Sequence, residues 1–357
     1  MQIKLFTPPK FEKKPLDLEY LNNITNKTWT YSASGRSSIY HILKDLNSNK
    51  ILVPAYICST VLEPLRKLHI KPIFYDIDKE DLNPSLDSIK RLSKRYDIKV
   101  ALVASMYGNP AALLEIEKYC KENEIFLIDD AAQSFGAKLD DRYIGTFGDA
   151  GFFSFSPGKP TAGHMGSFFW SNQEIKIKRT SHCFTHYLRW FDFYLNRYKI
   201  YTPYNKIYRK IVNISSRMLL KIVDIKNDKI CDFEKHILGG ILYDALTHDF
   251  SFRQKYHNIF VDMFKNNKYF TVIKNIRGEA NNHKIVIVFR NKNITSRFLR
   301  YMEQNNISVL NGYLLLGDDL ENLPNAKIID RCIVELPIED DKQKMKYLFD
   351  KVKEFGN

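Results

Sequence analysis

An α/β fold is what the 357-residue sequence predicts: a mostly parallel sheet flanked by helices, with a smaller C-terminal α+β domain. Three observations carry the prediction. From about residue 36 to 171, short apolar runs alternate with amphipathic segments of ten or more residues, the pattern of parallel strands joined by helical crossovers. Beyond residue 248, helix-like and strand-like segments mix on a smaller scale. The length suffices for a sizeable core and for two domains, or for one large domain with an appendage.

In order, helix-like "RSSIYHILKDL" leads to the strand "ILVPAYI", and "STVLEPLRKLH" leads to "KPIFYDI". Helix-like "SLDSIKRLSKR" precedes "KVALVAS", "PAALLEIEKYCKEN" precedes "EIFLID", and "GFFSFS" and "SFFWS" follow with only loops before them. Next comes a basic, aromatic stretch that reads as helices. Leu188, Phe191, Leu195 and Tyr198 follow one helical face, and Ile207, Ile211, Ile214, Met218 and Ile222 follow another, with "YTPYN" as the break. After "HILGGILYDAL" come the strand "KIVIVFR", the helix "ITSRFLRYMEQNN", the strand "CIVELPI" and a closing helix "DDKQKMKYLFDKVKEF". The division expected is a large domain over 1–175, a helical connecting segment over 176–247 and a small domain over 248–357.

Composition narrows the function classes. With 44% hydrophobic and 27% charged residues the chain is of ordinary soluble type. No apolar run has the length of a signal peptide or a bilayer span, so a cytoplasmic location is expected. Cys58, Cys120, Cys183, Cys231 and Cys332 are scattered without C-x-x-C spacing, which predicts free thiols rather than zinc or a disulfide framework. His182 and His186 have i, i+4 spacing but no third ligand nearby, so no metal is expected. The net charge of +13 concentrates in residues 187–222, where eight lysines or arginines face the single acid Asp192. No nucleic-acid motif accompanies this patch, leaving a solvated or partner-facing helical pair, an anionic small molecule or a membrane surface as its counterpart.

Three short segments carry chemistry. "EIFLIDDAAQSFGA" ends a strand in Asp129 and Asp130, followed by Gln133; such acids must reach water, cap a helix or meet a cation. "GFFSFSPGKP" sets Ser154 five residues before Lys159, in what by itself reads as a turn. "SGRSSIYHIL" places Ser34, Gly35, Arg36, Ser37 and Ser38 at a helix start, where free N–H groups and the helix dipole favour an anion. Together they ask for a ligand with a phosphate, a site for a carboxylate and a carbonyl for a lysine. Pyridoxal 5′-phosphate meets that description.

These segments, with "ILVPAYICSTVLEPL", "KPIFYDID", "SMYGNPA" and "GTFGDAGFFSFSPGK", resemble the DegT/DnrJ/EryC1/StrS family of aminotransferases; the likeness fades after residue 171. The resemblance implies fold type I of the pyridoxal-phosphate transferases, a homodimer, an amino-acid donor such as glutamate and a nucleotide-linked keto-sugar acceptor, in the making of surface polysaccharides or related amino sugars. It implies that Lys159 condenses with the cofactor's aldehyde and shuttles a proton, that Asp130 holds the ring's protonated nitrogen, and that Gln133 lies against the cofactor. Ser154, with the turn at Arg36 and Ser37, would bind the phosphate. Cys58 stands where many members stack an aromatic ring. A deoxygenating branch of the family replaces the lysine with histidine, so Lys159 speaks for amino transfer.

The sequence also departs from the family. "PTAGHMGSFF", with His164 and Met165, replaces the usual glycine-rich run after the lysine, and "CDFEKH", with Cys231, stands where an Asn-Tyr-Arg motif usually reaches the partner subunit. Two other readings therefore stay open: a silent or sensory protein on the same fold, and a pyridoxal-phosphate enzyme for a different substrate.

Overall fold

Helix α1 (Glu19–Thr25) and strand β1 (Thr30–Ser32) precede the alternation read from the sequence. The alternation runs α2 (Gly35–Leu43), β2 (Lys50–Pro54), α3 (Leu62–Lys67), β3 (Lys71–Tyr75), α4 (Leu86–Tyr96), β4 (Val100–Ala104), α5 (Leu113–Glu122) and β5 (Phe126–Asp130). A small hairpin, β6 (Lys138–Leu139) and β7 (Arg142–Tyr143), leads to β8 (Ala150–Ser154) and β9 (Ser167–Ser171). The remainder comprises α6 (Asp232–Thr247), α7 (Ser251–Phe264), β10 (Phe270–Val272), β11 (Lys284–Phe289), α8 (Lys292–Gln304), β12 (Leu310–Asn311), α9 (Pro324–Ile329), β13 (Ile333–Pro337) and α10 (Lys342–Phe355). The structure, a computed structural model, describes residues 2–3, 14–156, 158–161, 166–177, 232–247, 249–319 and 321–355. The basic segment 187–222, the histidines at 164, 182 and 186, Met165, Cys183 and Cys231 lie outside the described residues.

Local chemistry sets several helix starts. Ser34 accepts from the Ser37 N–H at 3.3 Å and Ser85 from the Ser88 N–H at 3.3 Å, while Asn291 accepts from Ile294 at 3.0 Å, each filling one of the donors that a helix start leaves open. Helix α4 ends where Asp97 turns left-handed, at φ 47°.

The large sheet has seven strands in the order β1-β9-β8-β5-β4-β2-β3. Strands β2, β3, β4, β5 and β8 are parallel, whereas β9 runs antiparallel to both β8 and β1. All of β4 and β8 is buried, as parallel strands covered on both faces require. Side chains alternate between the faces. Ala101 and Val103 join Ile89, Leu92 and Ile116 of α4 and α5 on one side, and Leu102 and Ala104 join Ile39, Ile42 and Leu65 of α2 and α3 on the other. Helix α6, which sequence patterning groups with the connecting segment, buries Ile237, Leu238, Ile241 and Leu242 in the first of these cores. The small domain is a four-stranded antiparallel sheet, β10-β11-β13-β12, with its own core around Phe260, Phe289, Phe298 and Leu348. No described helix is long and apolar enough to cross a membrane.

The strand directions decide where function can sit. Parallel β2, β4, β5 and β8 all end at one edge, and because β9 is antiparallel to β8 it begins at that same edge. Strand β1 runs with β8, so α2 also starts there. Its start is fastened by a serine chain, Ser32 Oγ to Ser38 Oγ to Ser167 Oγ, at 2.8 Å each.

Two predictions follow from close packing and burial in the sheet. A Cβ on Gly151 would run into the Gly145 carbonyl and come within 2.9 Å of the Trp170 indole nitrogen, so Gly151→Ala should cost about 1–3 kcal/mol, read as a lower urea midpoint. The second concerns Asp129, fully buried in β5, whose Oδ2 accepts from Gly145 N–H at 2.5 Å and Phe147 N–H at 3.2 Å. Burial outweighs these bonds and pushes its carboxyl up to about 7. Between about pH 4 and 7 the folded chain thus keeps a proton that the unfolded chain gives up, so stability falls as pH rises, by up to about 1.4 kcal/mol per unit. Asp129→Asn keeps an acceptor and should flatten that part of the profile in urea titrations of the cofactor-free protein; parallel profiles for the two proteins would contradict it.

Candidate active site

Asp130 is the last residue of β5 and is 6% exposed. Its Oδ1 accepts from the Ala132 N–H at 2.9 Å, which orients the carboxylate beyond the strand end. Burial pushes its carboxyl up to about 6, against the smaller opposing pull of that N–H and of the Lys159 cation. Lys159 lies in the loop between β8 and β9 and keeps partial contact with solvent. Loss of hydration lowers the proton affinity of its amine, opposed first by the Asp130 carboxylate. The acid and the amine therefore act on each other from neighbouring strand ends, and each is drawn by burial toward its neutral form.

Ser154 closes β8 and is buried, its Oγ donating to Ser156 Oγ at 3.3 Å. The start of α2 lies against it: a Cβ on Gly35 would sit 3.5 Å from Ser154 Cβ and 3.3 Å from the Phe152 ring. Ser37 is buried there, with its Oγ 3.2 Å from Ser34 Oγ. A hydroxyl-bearing strand end beside the N-terminus of a nine-residue helix makes a cradle suited to a phosphate. Arg36 behaves differently from its neighbours. Its guanidinium pairs with Glu63 of α3, so its contribution to such a cradle is its backbone N–H rather than its charge.

Cys58 is half-buried, its Sγ 3.1 Å from Thr60 Oγ1, and is near enough to Lys159 to enter its electrostatics. Gln133 is 7% exposed; its Nε2 donates weakly to Met106 Sδ at 3.9 Å and its Oε1 is buried without a partner. An orphaned acceptor beside a desolvated acid and amine, with a phosphate cradle on the same edge, fits pyridoxal 5′-phosphate. Lys159, Asp130, Gln133, Ser154 and the start of α2 are the residues that would hold it.

Several side chains near Lys159 escape the sequence reading because they come from the small domain or from loops. Lys284 and Glu335, on adjacent strands β11 and β13, form an ion pair with both side chains buried. The Tyr107 hydroxyl donates to Glu335 Oε1 at 3.1 Å and lies 2.6 Å from the Tyr56 hydroxyl, which accepts from the Tyr313 N–H at 3.2 Å. Tyr107 is held in a left-handed conformation, φ 57°, a strain found most often at functional sites. The network ties the ends of β2 and β4 to the small sheet. Lys284 and Glu335 both act on the Lys159 amine, in opposite directions. His283 is buried, its proton affinity well below normal through burial first and then the nearby Lys284, Arg253 and Lys159 cations. The acid Glu335 inside the otherwise apolar run "CIVELPI" is the signal that marks this network in sequence.

Residues 30–188 match the model of the DegT/DnrJ/EryC1/StrS aminotransferase family. The chain is 26% identical over 132 residues to GDP-perosamine synthase of Vibrio cholerae, covering 37% of this chain and 35% of that protein. It is 35% identical over 106 residues to GDP-4-keto-6-deoxy-D-mannose 3-dehydratase of Yersinia pseudotuberculosis, covering 30% and 27%. The matched segment thus spans about a third of the length of these relatives. In fold it is similar to PseC of Helicobacter pylori, an aminotransferase involved in the biosynthesis of pseudoaminic acid, with a TM-score of 0.76 and 14% identity over 100% of this chain and 99% of that one. Over residues 30–188 the chain thus matches the DegT/DnrJ/EryC1/StrS aminotransferase family, and its fold is similar to that of solved aminotransferases.

Proposed function

We propose that the chain is an aminotransferase that uses pyridoxal 5′-phosphate to move an amino group from an amino acid, glutamate being the expected donor, to a nucleotide-linked keto-sugar. The observation that carries this reading is the desolvated pair of Asp130 and Lys159 at one sheet edge, beside the cradle of Ser154 and the start of α2. The names of its relatives, which include a GDP-perosamine synthase and a GDP-sugar dehydratase, support the acceptor class. The proposed working form is a cytoplasmic homodimer serving surface-polysaccharide or amino-sugar synthesis.

When bound, the cofactor supplies an aldehyde that condenses with amines and a protonated ring that draws electrons from the adjoining carbon. The protein supplies the rest. Lys159 Nζ, whose proton affinity burial lowers, would take a proton from the donor's α-carbon and return it on the other side of the exchange. The Asp130 carboxylate would pair with the ring's N–H, and a positive charge there would favour its ionised form over the neutral form that burial favours. The α2 N–H groups and Ser154 Oγ would hold the phosphate, and Gln133 Oε1 would gain a partner it otherwise lacks. The family's dehydratases carry out a competing reaction. Lys159 favours amino transfer, because its amine can both bond to the cofactor and carry the proton.

Purified protein supplied with the cofactor should be yellow, and Lys159→Ala should abolish the colour and lower turnover by on the order of a hundredfold or more. Glutamate should bleach the wild-type colour, and a panel of keto-sugar nucleotides should then yield an aminated product by mass spectrometry. A protein that takes up no cofactor refutes the reading, and one that stays yellow in every amino acid tested reduces it to cofactor binding. Asp130→Asn should keep the colour while losing most of the turnover; near-normal rates in that variant would remove Asp130 from the mechanism.

A further inference from the structure

The connection between β10 and β11, residues 273–283, leaves the small sheet and is bonded along its length to loops around the large one. The Lys274 carbonyl accepts from Asn109 Nδ2 at 3.1 Å, and Arg277 pairs with buried Asp81 at 2.6 Å. Glu279 exchanges both backbone bonds with Lys138, at 2.8 and 2.9 Å, and the Asn281 N–H donates to the Gly108 carbonyl at 3.1 Å. These bonds fasten one sheet's surroundings to the other's. The Asn281 side chain reaches further. Its Nδ2 donates to two carbonyls of the turn that follows β5, Gln133 at 2.9 Å and Phe135 at 3.1 Å, and its Oδ1 accepts from the His283 N–H at 3.2 Å. Backbone partners at both ends of the amide fix which way it points. At Gly108, where φ is 77°, a Cβ would overlap that amide, so the glycine leaves the space the clamp needs.

The turn held in this way is the one that carries chemistry. Asp130 Oδ1 opens it by accepting from the Ala132 N–H at 2.9 Å, and the Ser134 N–H closes it on the Ala131 carbonyl at 2.9 Å. Ser134 Oγ ties it to β4 by donating to the Ser105 carbonyl at 2.7 Å. Bonds of the turn itself thus serve its N–H groups, whereas the Gln133 and Phe135 carbonyls draw their donors from the small domain. Gln133 sits between the two arrangements, its backbone carbonyl held by Asn281 and its side-chain Oε1 buried without a partner. Without the Asn281 amide, two buried carbonyls would have to turn toward water, and the peptide units that aim Gln133 would turn with them.

We infer that Asn281 is a positioning residue of the cofactor site: from the small domain it holds the turn that aims the Asp130 carboxylate and the Gln133 amide. The inference rests on the proposed function for what the turn receives, though not for the clamp itself. Such a clamp works in both directions, because a ligand that steadies the turn from the site also steadies the connection that grips it. Cofactor binding and the docking of residues 273–283 are therefore coupled, without Asn281 having to touch the cofactor.

The test compares Asn281→Ala with Arg277→Gln, which loosens the same connection at Asp81 but leaves the turn alone. Both should lower the urea midpoint. In native buffer, spectral titration of the cofactor-free full chain with pyridoxal 5′-phosphate should show affinity weakened about tenfold in Asn281→Ala and held within about twofold in Arg277→Gln. A merely structural asparagine would move the midpoint alone. Hydrogen exchange carries the test if Asn281→Ala does not fold: in the wild-type chain, added cofactor should slow exchange at the Glu279 and Asn281 amides. Exchange there that ignores the cofactor, or equal losses of affinity in the two variants, would overturn the assignment. Cofactor uptake with unchanged affinity in Asn281→Ala sinks the assignment and spares the aminotransferase reading. A wild-type chain that takes up no cofactor contradicts that reading; faster exchange over residues 131–137 in Asn281→Ala then upholds the clamp, and unchanged exchange overturns it.

Discussion

A carboxylate and an amine share the same dry edge of the large sheet, and most of the architecture serves to hold them there. Asp130 and Lys159 act on each other electrostatically, yet burial dominates for both, drawing the acid toward protonation and the amine toward neutrality. Neither side chain would keep that position on an isolated loop, where water would separate them. Parallel pairing of β5 with β8 sets the acid and the start of the lysine loop side by side, and antiparallel β9 returns that loop to the same edge. A ligand with a cationic ring, a carbonyl and a phosphate relieves the desolvation of both groups at once.

The seam between the domains is built from the same kind of compromise. Lys284 and Glu335 are buried together, an arrangement that contributes little net stability compared with an apolar pair but penalises any geometry that separates them. Through Tyr107 and Tyr56 the pair reaches the ends of β4 and β2, so the position of the small domain is specified by hydrogen bonds as well as by packing. Because Lys284 and Glu335 pull the Lys159 amine in opposite directions, any shift of the seam is felt by that amine.

Much of this was legible in the sequence, and for physical reasons. Strands β2, β3, β4, β5, β8 and β9 are apolar runs bounded by turn residues, and most helices between them carry a clear apolar face, so period and length identified them. Helix α7 is not among the elements the sequence predicts, although His257, Phe260 and Phe264 form its buried face at helical spacing. Strand β1, three residues long, is a strand because β9 pairs with it, which no local pattern reveals. At the site, Asp130, Lys159, Ser154 and Ser37 were marked by their places at strand ends and a helix start. The resemblance sets the turn at Arg36 and Ser37 against a phosphate; the Arg36 guanidinium itself is engaged by Glu63, a partner 27 residues away. Arg253, Lys284 and Glu335 reach the site only through tertiary packing of the small domain, so nothing in their immediate sequence points to Lys159.

The central claim is that one particular amine, made nucleophilic by burial beside Asp130, is the group that bonds to the cofactor. Borohydride treatment of the cofactor-loaded protein, followed by proteolysis and mass spectrometry, locates that bond on the chain. The account predicts the pyridoxyl-phosphate mass on the peptide containing Lys159. Its appearance on Lys284, a buried lysine near the site, or on no single lysine, would contradict it.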